Sequence, residues 1–107
     1  VLFLEVFLFI SSKNVYAYLT ADNYGTLYVD GVLRVSNSYW PNATNSDSFN
    51  LSQGLHCIEV NAAEASGTPT AFIACLINVS NSSDVVVRTD TSWKCVDHSI
   101  SYEQETK

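Results

Sequence analysis

The residue types that carry out acid–base or covalent chemistry are few and scattered in this chain. It has two histidines, His56 and His98, and eleven acidic residues. His56 alternates with Ile58 and Val60 as a core histidine of a strand does, and the aspartates fall in turns or near strand ends, where they commonly cap the backbone. No nucleophile–base pair and no zinc-ligand spacing is present, so we expect no enzyme, no metal and no cofactor.

Four Asn-X-Ser/Thr motifs are candidate sites of N-glycosylation: Asn42, Asn50, Asn78 and Asn81. A glycan is attached at the surface of a chain that has entered the secretory pathway. A chain rich in Asn and Ser produces some of these motifs by composition alone. Four motifs in 107 residues nevertheless favour a secreted, extracellular protein that carries covalent N-glycans.

The three cysteines allow one disulfide and one leftover thiol. Cys57 and Cys75 lie symmetrically about Ser66, as partners in a hairpin would, whereas Cys75 and Cys95 both alternate in phase with apolar neighbours. We expect a Cys75–Cys95 disulfide, with Cys57 left over. The leftover thiol is either buried and inert or available to cross-link chains.

One group of loop residues has the chemistry of a sugar site. Asp22, Asn23 and Tyr24 lie in one predicted turn and Trp40 in a later loop. An aromatic ring can stack on a sugar face, while carboxylate and amide groups bond to its hydroxyls. The competing interpretation is that Trp40 and Trp93 cover the ends of the core.

Length and composition limit the class of protein. One domain fits into 107 residues, and 47% hydrophobic residues are enough for a core. A net charge of −6 opposes binding to phosphate, so we expect no nucleic-acid partner. The longest apolar run has ten residues, whereas a membrane span needs about 20, so we expect no membrane span.

Alternating apolar and polar residues predict short strands throughout the chain. The predicted strands cover 14–21, 26–29, 32–35, 48–51, 55–62, 70–79, 84–89 and 93–96, and Asp30-Gly31 is a two-residue hairpin turn. With the first ten residues, this makes nine segments, and we expect nine or ten strands. The expected fold is all-β, an antiparallel β-sandwich of the jelly-roll type.

Several segments resemble those of a known module in their amino-acid motifs and in their order along the chain. These are residues 18–31, 54–60, 70–76 and 89–95 together with Trp40, and they include Thr-Ala-Asp-Asn, Val-Asp-Gly and Thr-Asp-Thr-Ser-Trp-Lys. The chain resembles the galactose-binding-like β-sandwich that accompanies α-L-rhamnosidases and many secreted eukaryotic proteins. The resemblance implies a jelly roll with an accessory or adhesive role, and we expect no attached catalytic domain.

The first ten residues, Val-Leu-Phe-Leu-Glu-Val-Phe-Leu-Phe-Ile, are apolar on both faces of a strand. Burial of one Leu or Phe contributes about 1.5–3 kcal/mol, so this segment requires cover. It either adds a strand to its own sandwich or completes the sheet of a neighbouring copy, with Ser11-Ser12-Lys13-Asn14 as a polar hinge. In both cases one face of the strand presents aliphatic side chains, those of Leu2, Leu4, Val6, Leu8 and Ile10.

We therefore expect a strand and hinge over 1–12, a sandwich domain over 13–98 and a polar tail over 99–107. The expected function is that of a structural subunit in a secreted glycoprotein filament. Its partner is a further copy of itself, joined head-to-tail by exchange of the first strand. The alternative is a carbohydrate-binding adhesive domain.

Overall fold

Ten antiparallel strands form the part of the chain that a computed structural model describes, residues 2–38, 41–63, 71–90 and 93–95. They are β1 (Leu2–Ile10), β2 (Lys13–Asp22), β3 (Tyr24–Val29), β4 (Val32–Asn37), β5 (Thr44–Asn45), β6 (Phe49–Leu51), β7 (Gly54–Ala63), β8 (Ala71–Asn78), β9 (Val85–Arg88) and β10 (Lys94–Cys95). The predicted antiparallel β-sandwich is confirmed. Within the described residues, no helix is long and apolar enough to cross a membrane.

The strands form two sheets that pack face to face. Sheet 1 has the order β10-β1-β7-β3-β4, and sheet 2 has the order β5-β2-β8-β9, with β6 also paired to β2. All the pairings are antiparallel. Alternate residues of the strands therefore point into the space between the sheets.

The core is aliphatic and follows the alternation seen in the sequence. In β2 and β7, every second residue is buried and its neighbours are partly exposed. The largest fully buried side chains come from both sheets: Val15, Leu19, Leu27, Val29, Ile58, Val60 and Leu76. Trp93 is also buried, and its ring packs edge-on to Phe72 with centroids 6.1 Å apart.

The Asp30-Gly31 turn forms as predicted. It joins β3 to β4, with φ of 52° at Asp30 and 81° at Gly31. Positive φ at both central residues gives a two-residue turn the twist that matches its strands. The short strand β5 was not predicted, because Thr44 and Asn45 lie in a polar segment without alternation.

The first strand pairs within its own chain. β1 aligns with β7 over nine residue pairs, from Leu2 opposite Ala62 to Ile10 opposite Gly54. On its other side, Leu4 and Glu5 pair with β10. Of the two arrangements considered from the sequence, this chain by itself adopts the one in which β1 is an inner strand of its own sandwich.

The predicted Cys75–Cys95 disulfide is wrong, because Cys75 has a free thiol. Cys75 lies between the buried residues Ala74 and Leu76 and so faces away from the core of sheet 2, whereas Cys95 belongs to β10 of sheet 1. Cys75 was expected to share the core with the apolar residues of its strand, but it lies on the opposite face of that strand. Cys57, the predicted leftover, is also a free thiol.

Candidate functional site

The inner face of β1 is built into the core. Leu4, Val6 and Leu8 pack against the buried cluster, and Ile10 is itself buried. The side chain of Leu2 lies outside the described residues, although its backbone pairs with Ala62. Four of the five side chains expected to form an assembly strand therefore pack into the core of their own sandwich.

The outer face of β1 differs from the expectation that both faces would be covered. Phe7 is 59% exposed and Phe9 is 81% exposed, and Leu55, opposite Phe9, is 57% exposed. Only one side of a sheet can face the core of a two-layer sandwich, so the outward residues of β1 remain at the surface. Sheet 1 thus carries an apolar outer patch, defined by Phe7, Phe9 and Leu55.

The β1 strand leads into β2 through two exposed residues, Ser11 and Ser12. β1 belongs to sheet 1 and β2 to sheet 2, so this connection crosses between the two layers. Three Cα steps of about 3.8 Å reach roughly 11 Å when straight, close to the roughly 10 Å between packed sheets. Lys13 and Asn14 of the predicted hinge belong to β2, so the connection is shorter than expected and has little slack.

A surface cavity of about 470 Å³ opens beside the end of β2 in sheet 2. Tyr18, Thr20 and Asp22 approach it from alternate positions of β2, and Ile73 approaches it from β8. The remaining walls are apolar: Ala21, Pro41, Ala43 and Phe72. A hydrophobic cavity with a few polar groups on one side is a typical small-molecule site.

Asn37 holds the loop that forms one wall of this cavity. Its side chain is buried, and its Nδ2 donates to Asn42 O at 2.8 Å and to Thr44 Oγ1 at 3.0 Å. Its Oδ1 accepts a hydrogen bond from the backbone N–H of Ala21 at 3.0 Å. The segment containing Ala43 is thereby fixed to the end of β2.

The predicted sugar contacts are only partly brought together. Asp22 lines the cavity, but Asn23 is exposed and bonds through its backbone N–H to Ala63 O. Tyr24 begins β3 and is 51% exposed, away from the cavity lining, and Trp40 lies outside the described residues. Sequence reasoning missed Tyr18 and Thr20. Their spacing of two and four residues from Asp22 on one strand was the available signal.

The four glycosylation motifs lie on or beside sheet 2. Asn50 is exposed in β6, and Asn42 is exposed in the connection that leads to β5. Asn81 is exposed in the turn between β8 and β9. Asn78 ends β8, is half-buried, and donates from Nδ2 to Asp84 Oδ2 at 3.1 Å.

A second polar arrangement involves His56, which is buried in β7 as the sequence predicted. Its Nδ1 lies 2.6 Å from Asp30 Oδ2, and its Nε2 lies 2.6 Å from Ser52 O. Hydrogen bonds from the His56 ring to the Asp30 carboxylate and to the Ser52 carbonyl raise the pKa of His56 above its ordinary value, against the effect of burial. Burial raises the pKa of Asp30, but the Cys57 N–H and His56 outweigh that effect and lower it overall.

Comparisons with protein-family models, with curated proteins and with solved structures gave no match for this chain. The resemblance to the galactose-binding-like sandwich therefore stays a prediction from its motifs. In the described part of the chain, no group of three or more His, Cys, Asp or Glu side chains is arranged to hold a metal ion. The features available for a functional argument are β1 with its hinge, the cavity beside β2, and the surface asparagines.

Proposed function

We propose that this chain is a non-catalytic structural subunit of a secreted, N-glycosylated filament, assembled head-to-tail by exchange of β1. One observation carries the proposal. A complete strand, paired with β7 over nine residue pairs, is joined to the next strand by only Ser11 and Ser12. The same pairing can be made with β7 of a second copy once those two residues extend.

Exchange preserves the contacts that stabilise the sandwich. Leu4, Val6, Leu8 and Ile10 would occupy the same groove, and the β1–β7 hydrogen bonds would be those of the single chain. A short hinge favours exchange, since the closed form must cross between the sheets within two residues. Transfer of one strand to the next copy is a heterologous contact, which propagates unless the rotation closes a ring.

The positions of the glycosylation motifs support this mode of assembly. All four motifs lie on or beside sheet 2, whereas β1 and β7 belong to sheet 1. Glycans at Asn42 and Asn81 would extend from exposed positions in the connections of sheet 2, whereas Asn50 lies opposite Asn14, beside the hinge. The glycans would also keep an assembled filament soluble and separate it from its neighbours.

The hinge provides the sharpest test, because deletion of β1 would also remove part of the core. We would insert Gly-Ser-Gly-Ser between Ser11 and Ser12 in the full chain. The control carries the same insertion between Ser80 and Asn81, in the exposed β8–β9 turn, which leaves the motifs at Asn78 and Asn81 intact. Light scattering after gel filtration and negative-stain microscopy should show filaments for the native chain and the control, and monomers for the hinge variant.

The proposal is wrong if the native glycosylated chain is monomeric at all concentrations. It is also wrong if filaments persist unchanged when the hinge is lengthened. Treatment with an N-glycosidase tests the secreted-glycoprotein component separately. The mass of the chain secreted from a eukaryotic cell should fall on treatment, and Asn→Gln variants at the four motifs should abolish that change.

Carbohydrate binding is the second candidate, and the cavity beside β2 favours it. Tyr18 offers a ring, and Asp22 and Thr20 offer hydrogen-bonding oxygens on the same side. A glycan array followed by calorimetry should detect binding that Tyr18→Ala and Asp22→Asn each weaken at least tenfold. Tyr16→Ala is the matched control, because Tyr16 is two residues from Tyr18 on β2 but does not line the cavity. Equal affinity for all three variants would exclude this site.

A further inference from the structure

The ring of His56 lies between two oxygen acceptors. Nδ1 is 2.6 Å from a carboxylate oxygen of Asp30, and Nε2 is 2.6 Å from the backbone carbonyl of Ser52. A neutral imidazole has one N–H, so it can donate to only one of these oxygens. An imidazolium donates to both, and it is the only protonation state of the ring that satisfies this geometry with an ionised Asp30.

Asp30 is held as an acceptor from two directions. Its Oδ1 accepts the backbone N–H of Cys57 at 2.8 Å, while its own N–H donates to Cys57 O at 2.8 Å. A carboxylate that receives donors on both oxygens favours its ionised form. The proton shared along the 2.6 Å contact is therefore assigned to His56.

We infer that His56 is a protonated clamp that ties the β3–β4 turn and the β6–β7 connection to β7, and that this clamp opens when the ring loses its proton. Asp30 lies in the turn between β3 and β4 of sheet 1. Ser52 follows β6, which pairs with β2 of sheet 2. The clamp thus joins the two sheets at one end of the sandwich, and it does not depend on the proposed filament.

The charges around the clamp support the protonated state. Asp30 faces His56 from the turn, and Arg34 of β4 acts favourably on the Asp30 carboxylate. From the β6–β7 connection, the partner is the uncharged carbonyl of Ser52. The cross-strand partner in β1 is the apolar Leu8. Burial, and after it the charges of Glu5, Glu59 and Asp30, raise the pKa of the neighbouring Cys57 to about 11, so this thiol adds no charge near neutral pH.

The expected pH dependence follows from the direction of these shifts. The pKa of His56 is raised on folding, so its contribution to stability is complete below about pH 6.5 and is lost as the pH rises through the folded-state value. The pKa of Asp30 is lowered on folding, so its contribution is lost as the pH falls through that lower value. The clamp is therefore closed in mildly acidic solution, and it opens as the pH rises through the folded-state pKa of His56.

Nuclear magnetic resonance of the full chain tests the protonation state directly. With ¹⁵N-labelled histidine, both ring nitrogens of His56 should show N–H shifts at about pH 6, and the ring should titrate above pH 6.5. A His98→Gln variant assigns the signals, since the chain has only two histidines. A neutral tautomer of His56 at pH 6.5 would overturn the inference.

The pH dependence of folding stability provides a second test of the His56 clamp. From pH 6.5 upward, the folding equilibrium constant of the native chain should fall by up to about tenfold per pH unit until the folded ring is deprotonated. His98→Gln should keep this dependence, and His56→Gln should lose it. Parallel pH profiles for the native chain and His56→Gln would contradict the clamp. If His56→Gln does not fold, the titration of the native chain still decides.

Discussion

Glu5 and Glu59 lie directly opposite each other where β1 pairs with β7. Both side chains are half-buried on the outer face of sheet 1, and Lys94 lies opposite Glu5 on the β10 side. Like charges at directly opposed positions weaken a strand pair. The pairing of β1 with β7 therefore contains a repulsion between two carboxylates in the middle of an otherwise apolar strand.

Glu59→Gln should stabilise the folded chain by about 0.2–1 kcal/mol, because it removes this repulsion and keeps the shape of the side chain. Urea unfolding at low salt measures the change, which should shrink at 0.5 M salt as screening increases. Glu5→Gln should gain less, since it also loses the attraction of Lys94. A destabilising effect of Glu59→Gln at low salt would show that repulsion between the two carboxylates does not reduce the stability of the folded chain.

Gly25→Ala should destabilise the sandwich by about 1–3 kcal/mol, because its inward position is closely packed. A Cβ added at Gly25 would lie 2.8 Å from Ala21 Cβ and 3.2 Å from Asn61 O. Ala21 belongs to sheet 2 and Gly25 to sheet 1, so the clash would push the layers apart. Thermal unfolding measures the effect. The double variant Ala21→Gly/Gly25→Ala should recover part of the loss, and failure to recover any would locate the strain at Asn61 instead.

Asn37→Ala should cost about 1–3 kcal/mol per backbone group that it leaves buried without a partner. The group at risk is the N–H of the buried residue Ala21, which donates to Asn37 Oδ1, whereas the carbonyl of the exposed residue Asn42 can bond to water instead. Hydrogen exchange should show faster exchange at Ala43 and Thr44, since their segment is no longer fixed. Asn45→Ala, at an exposed position of β5, is the control. It should change the free energy of unfolding by no more than about 0.5 kcal/mol and leave the exchange rates at Ala43 and Thr44 unchanged.

The strands and turns that depend on neighbouring residues in the chain could be predicted from the sequence. Alternation located β2 and β7, and Asp30-Gly31 located a turn that needs positive φ at both positions. The phase of Cys75 and the exposure of Phe9 could not be derived in this way, since both depend on which face of a sheet meets the other layer. That choice is made by the packing of the two sheets.

The candidate site was less predictable than the fold for a related reason. Asp22 could be nominated from its turn, but the cavity is completed by Pro41 and Ala43, which Asn37 brings close to β2. One buried amide that bonds to a distant loop has no periodic signature in a sequence. Whether β1 pairs within or between copies also lies beyond the sequence, because both arrangements use the same residues and the same register.

Cys57 should react slowly with alkylating reagents, although its side chain is only half-buried and faces outward. Burial, together with the charges of Glu5, Glu59 and Asp30, raises the pKa of this thiol to about 11. Because the thiolate is the reactive form, iodoacetamide at pH 8 should modify Cys57 about a hundredfold more slowly than a thiol of ordinary pKa. Mass spectrometry of peptides from a timed reaction measures the rate.

Glu5→Gln gives the matched comparison for this prediction. Oε2 of Glu5 lies 3.9 Å from Cys57 Sγ. The substitution removes this negative charge, so alkylation of Cys57 should become faster. The rate at Cys75, which lies beside Arg88 on the other sheet, should not change. Alkylation of the unfolded chain without reductant should label both cysteines completely, because both thiols are free. If Glu5→Gln left the alkylation rate at Cys57 unchanged, the charge of Glu5 on β1 would have no effect on the pKa of the Cys57 thiol on β7.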